Sequence, residues 1–436
     1  MWSINENIAN KNRNDIEEFQ YNKLIETLNY LKNKSPYYQK LFTDNDITIS
    51  KLKSLKDISN LPITTKEDLA KYNQDFICIP PREIIDYITT SGTVGDPVTL
   101  IMNDADLNRL AYNEYISFKN AGCTADDIIQ LMTTIDKRFM AGLAYFLGAR
   151  MLGAGVIRVG AGMPELQWDS IIRMKPTVLV AVPSFILKLI DYAEKNNIDY
   201  KNSSIKKAIC IGEPLRNNDF SLNTLGQKIN DKWKIKLFST YASTEMATAF
   251  TECEYSCGGH QIPDLIITEF LDENSKPVKS GEAGEVTITT IGVEGMPLLR
   301  YKTGDVVIHY DEPCKCGRNT TRLGPIIGRK NQMIKYKGTT IFPSTIYDVL
   351  NSIAEIHSYL IEISTNNIGT DDVLIKVSTK MDVSQTFEKE LKDHFRAKLR
   401  VAPNIEICSK EILHAIQFNE TLRKPILFID KRTESN

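Results

Sequence analysis

The chain of 436 residues is long enough for two domains, and its 53 Lys+Arg against 55 Asp+Glu leave a net charge of −2. So even a balance provides no basic stripe for nucleic acid or anionic lipid. The start MWSINENIANKNRND lacks the apolar core of a signal peptide, and the most apolar stretch, Phe139 to Met163, is interrupted by Arg150, Arg158 and several glycines, so a cytoplasmic protein without membrane partner is expected.

In chain order, Ile16, Phe19, Leu24, Ile25, Leu28 and Leu31 recur at helical spacing until Ser35-Pro36 ends the pattern. Ile84 to Ile88 is a strand-like run, followed at 89–97 by TTSGTVGDP. Serine, threonine and glycine in series can turn several N–H and hydroxyl groups toward one anion, although no lysine follows as in a P-loop, and alone the segment reads equally as a turn. From about Tyr87 to Thr240, apolar runs such as Thr177 to Val182 and Lys207 to Ile211 alternate with helix-length segments, which predicts a parallel sheet covered on both faces.

Tyr241-Ala242-Ser243-Thr244-Glu245 follows the strand-like Ile235 to Phe238, and a carboxylate beyond a strand end can hold Mg²⁺. After Asp264 the alternation in Leu265 to Phe270 and Gly284 to Thr289 predicts antiparallel strands. In Leu298 to Asp305 (LLRYKTGD), an aspartate after a Thr-Gly turn can accept from a ribose diol. Gly328-Arg329-Lys330-Asn331 marks a boundary before a self-contained set: a hairpin at Met333 to Phe342, a helix from Ser344, strands at Ser358 to Ser364 and Asp372 to Ser378, and a helix from Ser384 to Leu399.

Each motif is ambiguous alone, but their order resembles the adenylate-forming superfamily of acyl-CoA synthetases, luciferases and adenylation domains, and within it the phenylacetate–CoA ligase branch. The match runs from Ser35-Pro36-Tyr37-Tyr38 through Thr90 to Thr93, Gly212-Glu213-Pro214-Leu215, Tyr241 to Glu245, Arg300 to Asp305 and Gly328-Arg329 to Gly338–Ser344. The resemblance implies an α/β fold: a large N-terminal domain (1–330) of mixed parallel sheets flanked by helices, and a small mobile α+β lid (331–436). It implies ATP, Mg²⁺, coenzyme A and a small-molecule carboxylic acid as partners, and leaves room for a homodimer.

By position, the resemblance places Thr90, Ser91, Gly92, Thr93 and Gly95 around the outer phosphates of ATP. It assigns Gly212, Glu213 and Pro214 to the adenine pocket, with Tyr241 and Thr244 beside the nucleotide. Glu245 becomes the Mg²⁺ ligand, Asp305 the ribose acceptor and Arg329 a contact to ribose or α-phosphate. Asn331 stands where the family's hinge usually has aspartate. Gly338 falls on the coenzyme A channel. The catalytic lysine maps to Lys424, preceded here by Arg423 instead of the usual glycine, and preferred over Lys431 in the polar tail. The acid pocket maps to Ile135 to Gly142, where Phe139 and Met140 favour an apolar or aryl acid.

Of eight cysteines, Cys78, Cys123, Cys210 and Cys408 lie singly in apolar or strand-like surroundings. Cys253, Cys257, His260, Cys314 and Cys316 offer five ligands for a tetrahedral site that needs four. Spacing in some phenylacetate–CoA ligase relatives selects Cys253, His260, Cys314 and Cys316, implying structural Zn²⁺, and leaves Cys257 spare. Two other functions stay open: an adenylating enzyme that hands its product to a carrier protein, amine or cofactor, and a zinc-stabilised nucleotide-binding protein without catalysis.

Overall fold

The computed structural model describes residues 5–90, 98–337, 339–366, 371–380, 386–417 and 426–432. The first amphipathic pattern forms α1 (Arg13–Lys34), capped by Asn12, whose side chain accepts from Asp15 N. Ser35 ends this helix and begins the next. Its hydroxyl accepts from Tyr38 N, and Pro36, with no N–H to lose in a first turn, opens α2 (Pro36–Asp44). The Tyr38 hydroxyl then accepts from Leu299 N at 2.9 Å and pairs with Thr64 Oγ1 at 3.1 Å, tying the first helices to LLRYKTGD. A short α3 (Lys66–Lys71) starts from a Thr65–Asp68 capping box.

The run before the glycine loop departs from expectation. β1 (Asp86–Thr89) does not enter the parallel sheet; it pairs antiparallel with β2 (Thr99–Met102), Thr89 opposite Thr99. Apolar content marks a strand but not its partner, and here the partner is the chain returning from the loop.

The α/β layer comprises α4 (Asp104–Asn120), β3 (Ile128–Leu131), α5 (Met140–Leu152), β4 (Gly155–Arg158), α6 (Pro164–Met174), β5 (Val178–Ala181), α7 (Pro183–Lys195), β6 (Lys207–Ile211), α8 (Thr224–Lys232), β7 (Lys236–Ser243) and β8 (Thr248–Thr251). The sheet order is β4-β3-β5-β6-β7-β8, parallel except for the last pair. Central β5 is buried on both faces, as covered parallel strands require. Val178 and Val180 join one apolar cluster with Phe118 and Tyr145, while Leu179 and Ala181 join another with Trp168 and Trp233.

A second sheet runs β10 (Ile266–Leu271), β11 (Ala283–Thr290), β12 (Tyr301–Tyr310), β13 (Arg322–Arg329) and β9 (Gly259–His260). Gly304 is not in a turn: it lies inside β12 with φ 77°, a conformation that glycine adopts without strain. The remaining elements are the hairpin β14 (Ile334–Tyr336) and β15 (Thr339–Ile341), then α9 (Pro343–Asn351), β16 (Ile356–Thr365), β17 (Asp371–Thr379), α10 (Phe387–Leu399), β18 (Asn404–Ile407), α11 (Lys410–Gln417) and β19 (Phe428–Asp430). Their four-stranded sheet has the order β18-β17-β16-β19 and its own core. The chain divides into two compact units, Met1–Thr303 with Val307–Ile326, and Gly304–Val306 with Ile327–Asn436.

Candidate active site

At the base of the glycine loop, Thr90 N donates to Val98 O at 3.0 Å, and Val98 N donates to Thr90 Oγ1 at 3.1 Å. The chain therefore leaves and re-enters the hairpin at one closed point. Ser91, Gly92, Thr93 and Gly95 lie outside the described residues, as do Gly338 and Lys424. Thr89 N donates to Arg138 O at 3.2 Å, which couples this hairpin to the segment before α5. Lys137 and Arg138 there both have positive φ, 59° and 56°. Phe139 is half-buried at the start of α5, whereas Met140 is buried in a cluster with Ile88, Met102, Leu110 and Ala247.

Gly212 and Tyr241 lie at adjacent carboxyl ends, since Ile211 and Thr240 are register partners in β6 and β7. Ligands of open α/β sheets bind at such ends. Gly212 has φ 74°. The Glu213 carboxylate faces the first turn of α7, accepting from Ser184 N at 2.9 Å and Ser184 Oγ at 2.8 Å, where an anion favours the helix dipole. Glu213 is thereby a brace for the loop, and Pro214 is exposed beside it. The Tyr241 ring stacks on Phe250 with centroids 5.9 Å apart.

Glu245 occupies the turn between β7 and β8, closed by Ala247 N donating to Thr244 O at 3.3 Å. Met246, next to it, is fully buried in the main core, so the turn is anchored while Glu245 stays half-exposed. Among the described residues Glu245 makes no ion pair, which leaves its carboxylate available to a cation.

Asp305 is buried in β12, and Arg329 Nε at the end of β13 lies 3.2 Å from Asp305 Oδ1. Gly328 cannot carry a side chain, because a Cβ there would run into the Phe342 ring. Asn331 sits in the 3₁₀ turn Lys330–Gln332. Lys431 Nζ is held 2.6 Å from Glu362 Oε2.

The cysteine cluster is compact. One ligand atom from each of Cys253, His260, Cys314 and Cys316 lies within 4.8 Å of the others. Cys314 Sγ is 3.7 Å from Cys253 Sγ and 3.6 Å from Cys257 Sγ, and Cys316 Sγ is 3.5 Å from His260 Nε2. Tetrahedral ligands at about 2.3 Å from a metal are separated by roughly 3.8 Å, so the spacing fits. Gly317, at φ 90°, closes the turn that aims Cys314 and Cys316 together. Burial pushes the His260 pKa down and keeps the ring neutral, and burial raises the Cys316 thiol less than contacts from His260 and Arg318 lower it.

Sequence reading missed three supports of these groups: Ser184 beneath Glu213, Thr320 beside His260, and Arg109, which grips the Glu245 turn from α4. The available signal for the last was a polar stripe at 106, 109, 113, 117 and 120 in a helix that is buried along that line.

Comparison with known proteins gives a consistent picture. The sequence model described as AMP-binding enzyme matches residues 29–295, and that of the AMP-binding enzyme C-terminal domain matches residues 338–432. A phenylacetate-coenzyme A ligase of Thermus thermophilus is 28% identical over 385 residues, 87% of this chain and 84% of the relative. One of Escherichia coli K12 is 25% identical over 373 residues, 84% of this chain and 83% of the relative. A crystal structure of 2-hydroxyisobutyryl-CoA ligase with an acyl-AMP, 23% identical, shares the fold with a TM-score of 0.84, over 97% of this chain and 91% of that one.

Proposed function

Because the chain belongs to the AMP-binding enzyme family, we propose that it is an ATP-dependent carboxylic acid–coenzyme A ligase acting through an acyl-adenylate, with an aryl acid such as phenylacetate as substrate class. The observation that supports this most directly is the run of phenylacetate-coenzyme A ligases among its relatives, matched across most of both chains.

The chemistry follows from charge. The substrate carboxylate is already ionised at neutral pH, so its attack on the α-phosphorus needs no general base. It needs a screened, in-line approach to an anion. Bound Mg²⁺ would supply that screening. Glu245 holds the cation side of the nucleotide, Asp305 accepts from the ribose, Arg329 faces ribose or α-phosphate, and the Lys424 ammonium stabilises charge at the reacting phosphate. Thr90 and the loop residues Ser91, Gly92, Thr93 and Gly95 grip the outer phosphates. A carboxylate oxygen bonds to the α-phosphorus as the bond from that phosphorus to pyrophosphate breaks. The coenzyme A sulfur, on the channel assigned to Gly338, then bonds to the acyl carbon and its thiol proton goes to solvent, while the acyl–oxygen bond breaks and AMP departs.

The cysteine cluster is read as a structural Zn²⁺ site of Cys253, His260, Cys314 and Cys316. The contact of His260 Nδ1 with Thr320 Oγ1 supports it, since a ring that donates there turns the Nε2 lone pair toward the thiols. With all four positions filled by protein, the metal would brace the β9–β13 edge and take no part in acyl transfer.

The deciding experiment measures pyrophosphate release over a panel of acids, with and without coenzyme A. Thioester formation with an aryl acid supports the ligase. Release without thioester points to another acceptor, and no release with any acid removes catalysis from the account.

A further inference from the structure

Helix α4 has a polar buried face. Asp106, Arg109, Asn113, Ser117 and Asn120 follow one another at three- and four-residue spacing, and all are buried. Much of this stripe lies along the outer edge of β8, the last strand of the six-stranded sheet. An edge strand leaves alternate backbone groups without a strand partner. The outward groups of β8 belong to residues 247, 249 and 251, and side chains of α4 take one backbone group from each. Arg109 Nη1 donates to Ala247 O at 2.7 Å, Ala249 N donates to Asn113 Oδ1 at 2.9 Å, and Asn120 Nδ2 donates to Thr251 O at 3.5 Å. The helix thus serves as a side-chain substitute for a seventh strand.

Arg109 does more than satisfy an edge. Its Nε donates to Ile291 O at 2.7 Å, and its Nη2 donates to Leu265 O at 2.6 Å and Thr248 Oγ1 at 3.1 Å. Asp106 and Asp264 offset its charge electrostatically. Asp106 meanwhile accepts from Glu294 N at 2.7 Å and Gly295 N at 2.9 Å. One rigid guanidinium therefore joins three separate chain segments at the turn that bears Glu245. Ala247, whose carbonyl it holds, has φ 45°, a left-handed conformation that a non-glycine residue keeps only when its surroundings impose it.

We propose that Arg109 is a positioning residue for adenylate formation: by fixing the left-handed Ala247 and the head of β8, it sets the direction of the Glu245 carboxylate toward the cation of Mg²⁺–ATP. The proposal rests on the reading of Glu245 given above. Glu245 follows Thr244 on one side and precedes the anchored Met246-Ala247 pair on the other, so the direction in which its side chain leaves the backbone follows the path of a turn whose end, the Ala247 carbonyl, Arg109 holds. A loosened turn keeps the strand pairing but spreads the carboxylate over several directions. Lysine in place of Arg109 retains the charge and loses the planar fork.

The test compares wild type, Arg109→Lys and Thr248→Val. Calorimetry reads binding of a non-hydrolysable ATP analogue with and without Mg²⁺. Pyrophosphate exchange with an accepted acid is followed across a Mg²⁺ titration, and thioester formation is measured from supplied acyl-adenylate. For Arg109→Lys we expect the Mg²⁺ requirement of exchange to rise about ten-fold and the Mg²⁺-dependent gain in analogue affinity to shrink by a similar factor, less than the roughly 10²-fold that a full 1 Å misplacement can cost, because the turn is loosened and its carboxylate retained. Metal-free analogue affinity and the thioester step should stay within about three-fold of wild type. Equal loss in both half-reactions with an unchanged Mg²⁺ requirement overturns the proposal, as does no change at all. Should Arg109→Lys not fold, Thr248→Val, which deletes one of the four bonds, carries the same prediction at about two- to five-fold. A wild type that forms no adenylate with any acid counts against the ligase reading alone, and the calorimetric comparison still decides the role of Arg109.

Discussion

Asp305 and Arg329 are bonded to one another, with Arg329 Nε 3.2 Å from Asp305 Oδ1. The carboxylate is almost dry, at 8% side-chain exposure, while the guanidinium is 46% exposed. Arg329 thus orients one oxygen of Asp305, the carboxylate to which the proposed reading assigns the ribose hydroxyls. Replacing Asp305 by alanine removes a charged acceptor, a change of about 1.5–3 kcal/mol, or roughly 10–100-fold. The expected result is a KM for ATP raised by that factor with kcat reduced much less. A fall confined to kcat, with KM unchanged, would place Asp305 in the chemical step instead.

Lys424→Ala should separate the half-reactions. Adenylate formation, followed as pyrophosphate release, should drop by about two to four orders of magnitude, since a positioned ammonium facing developing charge contributes effects of that size. Thioester formation from supplied acyl-adenylate should survive. Lys431 serves as the internal comparison: it is already paired with Glu362, and Lys431→Ala should leave adenylation near wild type. Equal loss in both half-reactions of Lys424→Ala contradicts the assignment.

Cys314 is the centre of the thiol group, within 3.7 Å of two other sulfurs. Purified protein should carry about one zinc per chain, and Cys314→Ser should lose most of it together with thermal stability. Cys257→Ser should keep the metal, because the four-residue cluster is complete without it. Metal analysis that finds no zinc in wild type removes the site, and loss of zinc in Cys257→Ser would exchange Cys257 for one of the proposed ligands.

The fold was legible wherever local chemistry decides local structure. The alternation of Val178 and Val180 against Leu179 and Ala181 marks a strand buried on both faces, and Ser35-Pro36 marks a helix boundary by capping and by a missing N–H. Pairing partners were less legible: Ile84 to Ile88 reads as a strand in any sheet, and only the return of the chain at Val98 to Met102 makes it a hairpin. Gly304 reads as a turn for the same reason, since its positive φ serves equally in a turn or a bent strand. The motif residues were ambiguous singly and drew their proposed roles from the family that their order resembles, whereas Arg109 and Thr320 stood in no motif. Their contacts are with backbone or with residues far along the chain, Arg109 reaching Ile291 and Leu265, and single-sequence patterns carry no record of such meetings.

Glu114 provides a prediction in pH. It is buried between α4 and α5, where a Cβ at Gly148 would strike it, and among the described residues its Oε2 has no hydrogen-bond partner. Burial pushes its pKa up from 4.5 to about 8. The folded protein therefore holds Glu114 protonated at neutral pH, while the unfolded chain releases that proton above its ordinary pKa. The sign follows: the favourable contribution is complete below about pH 4.5, is lost progressively as pH rises toward 8, and changes no further beyond it. Glu114→Gln keeps the acceptor for Asn113 Nδ2, at 3.1 Å in wild type, and removes the titration. Across the window from 4.5 to 8 the variant should gain on wild type with a slope approaching about 1.4 kcal/mol per pH unit, seen as melting curves that converge or cross as pH rises. The slope, not the absolute stability, carries the prediction, because the amide brings its own unpaired donor. Parallel dependence of Tm on pH in the two proteins would show that Glu114 is ionised in the fold and that a charge this deep has found a partner.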